Sequence, residues 1–69
     1  MTETPTFASF NPTNDERVKF IKSRTDELIS YVDAIRRNDP SNAEKWRRSS
    51  EAMNDYEQAA MWAVKSLFS

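Results

Sequence analysis

Apolar side chains recur along the first half of the chain with 3-4-3-4-3 spacing, at Val18, Ile21, Leu28, Val32 and Ile35, with Thr25 interrupting the row. That spacing sets one stripe along a helix. Thr13 and Glu16 precede it with the pattern of a capping box, and Asp15 with Glu16 places negative charge at the positive end of the helix dipole. Arg36, Arg37 and Asn38 suit the opposite end. These signals predict a helix over about 13–37. Ile29 broadens the stripe, whereas Phe20 and Tyr31 lie outside it and call for a second contact.

Asn38-Asp39-Pro40-Ser41-Asn42 is the clear break in the chain. Pro40 cannot continue a helix because it has no N–H to donate. Ser41 with Glu44 forms a second capping-box pattern, and Asp39 as cap with Pro40 in the first turn is an equally good opening. A second helix is expected over about 41–67, after a turn at 38–41. Its seam reads Trp46, Ser49, Met53, Tyr56, Ala60, Ala63 and Leu67. So short a connection makes the two helices antiparallel neighbours. Residues 1–12 hold Pro5, Pro12, Phe7 and Phe10 among hydroxyl residues and read as an irregular arm. The expected architecture is therefore all-α: residues 1–12 as arm and 13–69 as an antiparallel two-helix hairpin.

Ala52, Ala59, Trp62 and Val64 lie beside the second seam, and one hairpin partner cannot cover them all. A chain of 69 residues buries only about 60% of the surface its unfolded form exposes. A lone two-helix rod leaves too much apolar surface in water, so a helical oligomer of several copies is expected.

Composition narrows the chemistry. With no Cys and no His, the chain lacks a thiolate nucleophile, a disulfide and the commonest neutral-pH base and metal ligand. With no Gly, it has no phosphate-cradling loop of the P-loop or Rossmann kind. No metal site, cofactor or acid–base pair is expected, and catalysis is not. Ten basic side chains against eleven acidic ones give a net charge of −1, which argues against binding a nucleic-acid polymer. A small anion met by a few cations remains compatible. No apolar run approaches the roughly 20 residues of a membrane span, and Met1-Thr2-Glu3-Thr4-Pro5 carries no signal-peptide pattern. A soluble, cytoplasmic protein is expected.

Lys22 stands at the edge of the first seam, close to where the arm bearing Phe7 folds back. A cation beside an apolar stripe with an aromatic nearby suits a phosphate-plus-base ligand. The plainer role for Phe7 and Phe10 is to cap the helices. Thr25 has the plain reading of a hydroxyl bonded back to the carbonyl of Ile21, against one of facing a ligand on an oligomer axis. The remaining cations fit surface pairs such as Asp33 with Arg37 and Glu44 with Arg48.

The aromatic arm, the Ile21-Lys22 step, the Asp39-Pro40 turn and the run Tyr56-Glu57-Gln58-Ala59-Ala60-Met61-Trp62-Ala63-Val64-Lys65 together resemble one family. It is the short helical-hairpin family of phage anti-CBASS proteins, and the resemblance covers about residues 7–68. The Ala60-Met61-Trp62-Ala63-Val64-Lys65 segment is its most specific part. The resemblance implies a non-enzymatic hexamer in the cytoplasm of the infected bacterium. Such a protein sequesters cyclic dinucleotides such as cyclic GMP-AMP between protomers and so keeps the host's defence effector inactive. It implies an aromatic stacking role for Phe7, where the family often has Tyr, and a phosphate contact for Lys22. Some members also hold cyclic trinucleotides near a threefold axis, where Arg24 or Thr25 and Arg47 or Arg48 are the best matches. Two competing readings are a dimeric hairpin that binds RNA or DNA, and an adaptor whose exposed helix face binds another protein.

Overall fold

In the computed structural model, which describes residues 12–69, two helices lie antiparallel: α1, Asn14–Arg37, and α2, Ala43–Ser66. The described residues contain no strand. The readings placed on the arm, including those for Phe7 and Phe10, fall outside this range. Each helix has 24 residues, which makes a rod about 36 Å long. No helix of the described residues is long and apolar enough to cross a membrane.

Thr13 caps α1 in extended backbone. Its Oγ1 accepts from the Glu16 amide at 3.2 Å, while its own amide donates to Glu16 Oε1 at 2.9 Å. Two otherwise orphaned donors are satisfied reciprocally, as the sequence pattern required. At the other end the Asn38 amide donates to the carbonyls of Ala34 and Ile35, and a turn follows in which the Asn42 amide donates to Asp39 O at 3.1 Å.

The opening of α2 differs from both sequence expectations. Its cap is Asn42, whose Oδ1 accepts from the Lys45 amide at 3.0 Å. The turn through Pro40 and Ser41 holds both residues outside the helix. The Glu44 carboxylate does not reach back to a cap amide either, because Arg47 and Arg48 hold it forward. The helix therefore begins at 43 and not at about 41.

Every residue of the expected α2 seam is at least half-buried, from Trp46 to Leu67, and Ser49, 7% exposed, is the one buried residue among those described. The α1 seam drifts. Val18, Ile21, Thr25 and Val32 are half-buried as expected, but Leu28 and Ile35 stay 46% and 42% exposed. Ile29 and Arg36 take their places against α2. A straight α-helix turns through 3.6 residues, not 3.5, so a strict heptad slips about 20° per repeat. The inward positions run Val18, Ile21, Thr25, Ile29, Val32 and Arg36, five turns in 18 residues, so the 3-4-3-4 count falls one residue short at Leu28 and Ile35.

Arg36 ties the turn end of the hairpin together. Its guanidinium lies 4.2 Å from the centre of the Trp46 ring, with Nε donating to Asp33 Oδ1 at 2.9 Å and Nη1 to Ser50 Oγ at 2.8 Å. At the open end the Asn14 side-chain amide donates to Leu67 O at 3.4 Å. These two contacts set the register. Lys22 comes level with Met61, and Asp26 level with Glu57.

Candidate ligand groove

Along one side of the helix–helix seam runs a groove of about 480 Å³. Its apolar floor is built from Ile29 of α1 and Ala60, Met61 and Val64 of α2, and Thr25 also lines it. The small Ala60 lets the floor recede between bulkier neighbours. Four charged side chains form the rim: Lys22 and Asp26 from α1, Glu57 and Lys65 from α2. The register sorts them by sign. Asp26 and Glu57 lie at one level, Lys22 one turn nearer the open end of the hairpin, and Lys65 a further turn beyond it.

Lys22 makes no hydrogen bond or ion pair among the described residues, although Asp26 stands one turn further along the same helix. Its ammonium is available to an anion. The Lys65 ammonium sits 5.2 Å from the centre of the Trp62 ring, and Trp62 is 64% exposed on the outer face of α2. Thr25 Oγ1 donates to Ile21 O at 2.6 Å. That bond uses its one hydroxyl proton, so towards a ligand Thr25 can act only as an acceptor.

The remaining candidates lie elsewhere on the hairpin. Arg24 points away from the groove, pairing with Glu27 at 3.0 Å and stacking its guanidinium 5.1 Å from the Phe20 ring centre. Arg47 is held by Glu44 and by Glu51, the latter at 3.0 Å, and Arg48 by Glu44 at 2.8 Å. The doubly bonded Glu44 carboxyl is drawn below its usual range, chiefly by the Arg47 hydrogen bond and next by Arg48. The same partner raises Arg47. These pairs are exposed and weak, so a phosphate could displace them. Within one hairpin Arg48 lies about 20 Å along the rod from Lys22. One protomer thus brings Lys22 and Thr25 together but not Arg24, Arg47 or Arg48. Phe7 lies outside the described residues.

Sequence reasoning did not single out Asp26, Glu57 or Lys65 as groove residues. The signal lay in the register: with the α1 cap set beside the end of α2, facing levels along the two helices are fixed by counting.

The described residues form a small all-α hairpin that leaves a charge-rimmed groove open and several large apolar side chains uncovered. The chain belongs to the Acb2/Tad1 hairpin-domain family, whose model matches residues 5–68. This is the anti-CBASS sponge family, in agreement with the resemblance carried by the arm, the Ile21-Lys22 step and the α2 run. The match spans Phe7, Lys22, Arg24, Thr25, Arg47 and Arg48. No curated protein and no solved structure matches the chain.

Proposed function

We propose that the chain is a non-enzymatic sponge that binds cyclic dinucleotide immune signals, and cyclic trinucleotides at a separate site, and so blocks bacterial CBASS defence. It acts as a homo-oligomer, a hexamer, in the cytoplasm of a phage-infected cell. The observation that carries this reading, beside membership of the family, is the position of Lys22. It is a cation without an ion-pair partner among the described residues, at the mouth of a groove with an apolar floor. A cyclic dinucleotide carries two phosphates and two flat bases, so it needs cations beside apolar or aromatic surface, as the groove offers. Symmetry-related copies of Lys22 can neutralise such a ligand without a basic protein, which reconciles phosphate binding with a net charge of −1. Arg24 or Thr25 of α1 and Arg47 or Arg48 of α2 join the trinucleotide site only across protomers, because one hairpin holds the α1 pair apart from the α2 pair.

The test is calorimetry of the full chain against a small panel of cyclic di- and trinucleotides, with the oligomer mass measured alongside. Tight binding, an oligomer, and recovery of intact ligand after denaturation are expected. Recovery of cleaved nucleotide would contradict sequestration without catalysis. A monomer or dimer that binds no nucleotide points instead to the adaptor reading. A gel shift with RNA or DNA at physiological salt, without cyclic-nucleotide binding, points to a polymer-binding hairpin.

A further inference from the structure

Apolar surface continues along the groove to the open end of the hairpin. Ile29, Ala60, Met61 and Val64 line the floor, and Met61 is 47% exposed. Phe68, which follows Met61 and Val64 at helical spacing, is 64% exposed. Residues 1–11, outside the described range, join the hairpin at that same end. Thr13 caps α1 there, the Asn14 side chain ties it to Leu67 O, and Pro12 is half-buried. The arm is thus tethered at the mouth of the groove. Its segment Thr4-Pro5-Thr6-Phe7-Ala8-Ser9-Phe10-Asn11 carries no charged side chain. The rim holds both signs, Lys22 and Lys65 against Asp26 and Glu57, so a charged strand along it would meet a like charge and a neutral one does not.

We infer that residues 7–10 of the same chain lie in the groove as a strap, with the Phe7 ring over Ala60 and the Phe10 ring beside Phe68. Spacing and reach carry this assignment. Thr4 and Asn11 each precede a proline, which biases them toward extended backbone. In the polyproline II form three residues make one turn, so Phe7 and Phe10 share a side. At about 3.1 Å per residue, counted back from Pro12, Phe10 reaches roughly 6 Å along the hairpin and Phe7 roughly 16 Å. With 1.5 Å per helical residue, these points are level with about residues 16 and 22 of α1. Lys22 is level with Met61, so Phe7 arrives beside Met61 and Ala60, where the floor recedes, and Phe10 arrives at the end of α2. The chain's own arm is favoured over a partner's because so short a tether costs little to close. A ligand that uses the floor must then lift the strap or share the groove with it. The inference does not depend on what that ligand is.

The experiment is NMR of the ligand-free, full-length chain with its alanine, methionine, isoleucine and valine methyl groups labelled. The Phe7 ring protons should show cross-relaxation to the Ala60 and Met61 methyls, and the Ala60 methyl should lie upfield of its random-coil position, under the ring. Phe7→Ser should remove that upfield shift and Phe7→Tyr should keep it, with circular dichroism and the oligomer mass checking that fold and assembly are kept. In an equal mixture of labelled and unlabelled protomers, the ring–methyl contacts should stay within one chain. Absence of contacts from Phe7 to the groove methyls, or an Ala60 shift that survives in Phe7→Ser, overturns the inference. Contacts that pass only between labelled and unlabelled protomers overturn it too, because the groove then holds a partner's arm. None of these readouts involves a nucleotide, so the strap can fail while the sponge reading stands, and the reverse.

Discussion

Lys22 and Arg36 stand on the same helix and show how partners decide what a cation does. Arg36 is surrounded: its side chain is only 16% exposed, with an indole face on one side and two oxygen acceptors on others. Its Trp46 partner is a large apolar contact of the turn end, so Arg36→Ala should cost about 1–3 kcal/mol by losing a desolvated cation–π contact and charge-assisted hydrogen bonds. Thermal unfolding followed by circular dichroism checks this, and Arg36→Lys should recover only part, because an ammonium lacks the planar fork. An unchanged midpoint in Arg36→Ala would mean the clamp is incidental. Lys22, by contrast, has nothing in the described hairpin to hold. Lys22→Ala should leave the unfolding midpoint within experimental scatter and weaken cyclic-dinucleotide binding by about tenfold or more. If affinity is untouched, the phosphate is held elsewhere.

At the scale of the helices, local chemistry was legible in the sequence and relative placement was less so. The Thr13–Glu16 box, the Thr25 hydroxyl bonded to Ile21, and the pairs Asp33–Arg37 and Glu44–Arg48 all follow from residues within four positions of one another. The α2 seam was also legible, because Trp46, Ser49, Met53, Tyr56, Ala60, Ala63 and Leu67 keep an unbroken 3-4 spacing. Leu28 and Ile35 misled because a heptad count ignores the slow rotation of a straight helix. Ser41 misled because Asn42, one residue on, caps equally well once the turn at Pro40 has formed. Asn42→Ala should therefore cost about 1 kcal/mol, and Ser41→Ala no more than about 0.5 kcal/mol, as read by thermal unfolding of the two variants. The reverse order would restore Ser41 as the cap. The same turn region predicts an acid response. Asp33 is lowered from its ordinary 3.8, chiefly by the Arg37 hydrogen bond against the opposing effect of burial and with help from Arg36. Glu44 is lowered from 4.5 by Arg47 and Arg48. Depressed folded-state values mean that the unfolded chain binds protons more readily in this range. The stabilisation is therefore complete above about pH 5 and is lost as pH falls through 4.5 and 3.8 toward the folded values. Asp33→Asn/Glu44→Gln should lower the neutral-pH midpoint slightly and flatten the acid-side loss. A variant whose acid-side loss matches that of the native chain would place the responsible carboxylates elsewhere.

For the molecule as a whole, what matters is that the described residues bury no apolar side chain completely. Phe20, Leu28, Tyr31 and Ile35 recur along one edge of α1, on the side of the seam away from the groove, with Arg24 laid over Phe20. On α2, Trp62 and Phe68 are each 64% exposed. An isolated hairpin would present these rings and branched chains to water while gaining little from its single seam, a poor balance for so small a fold. The rotation that takes Leu28 and Ile35 out of the seam places them on an exposed stripe, the one that another copy covers in the proposed oligomer. Their two possible roles give different thermodynamic signatures. As seam residues, Leu28→Ser/Ile35→Ser would lower the unfolding midpoint by the same amount at every protein concentration. As assembly residues, they belong to an interface that binds only the folded state, and such binding raises the midpoint with concentration. The native chain should therefore unfold at a temperature that climbs over a hundredfold rise in concentration. The double variant should sediment as a smaller species and lose that climb. A native midpoint independent of concentration, with a monomer mass throughout, would contradict assembly and leave the groove of a single hairpin to bind its ligand alone.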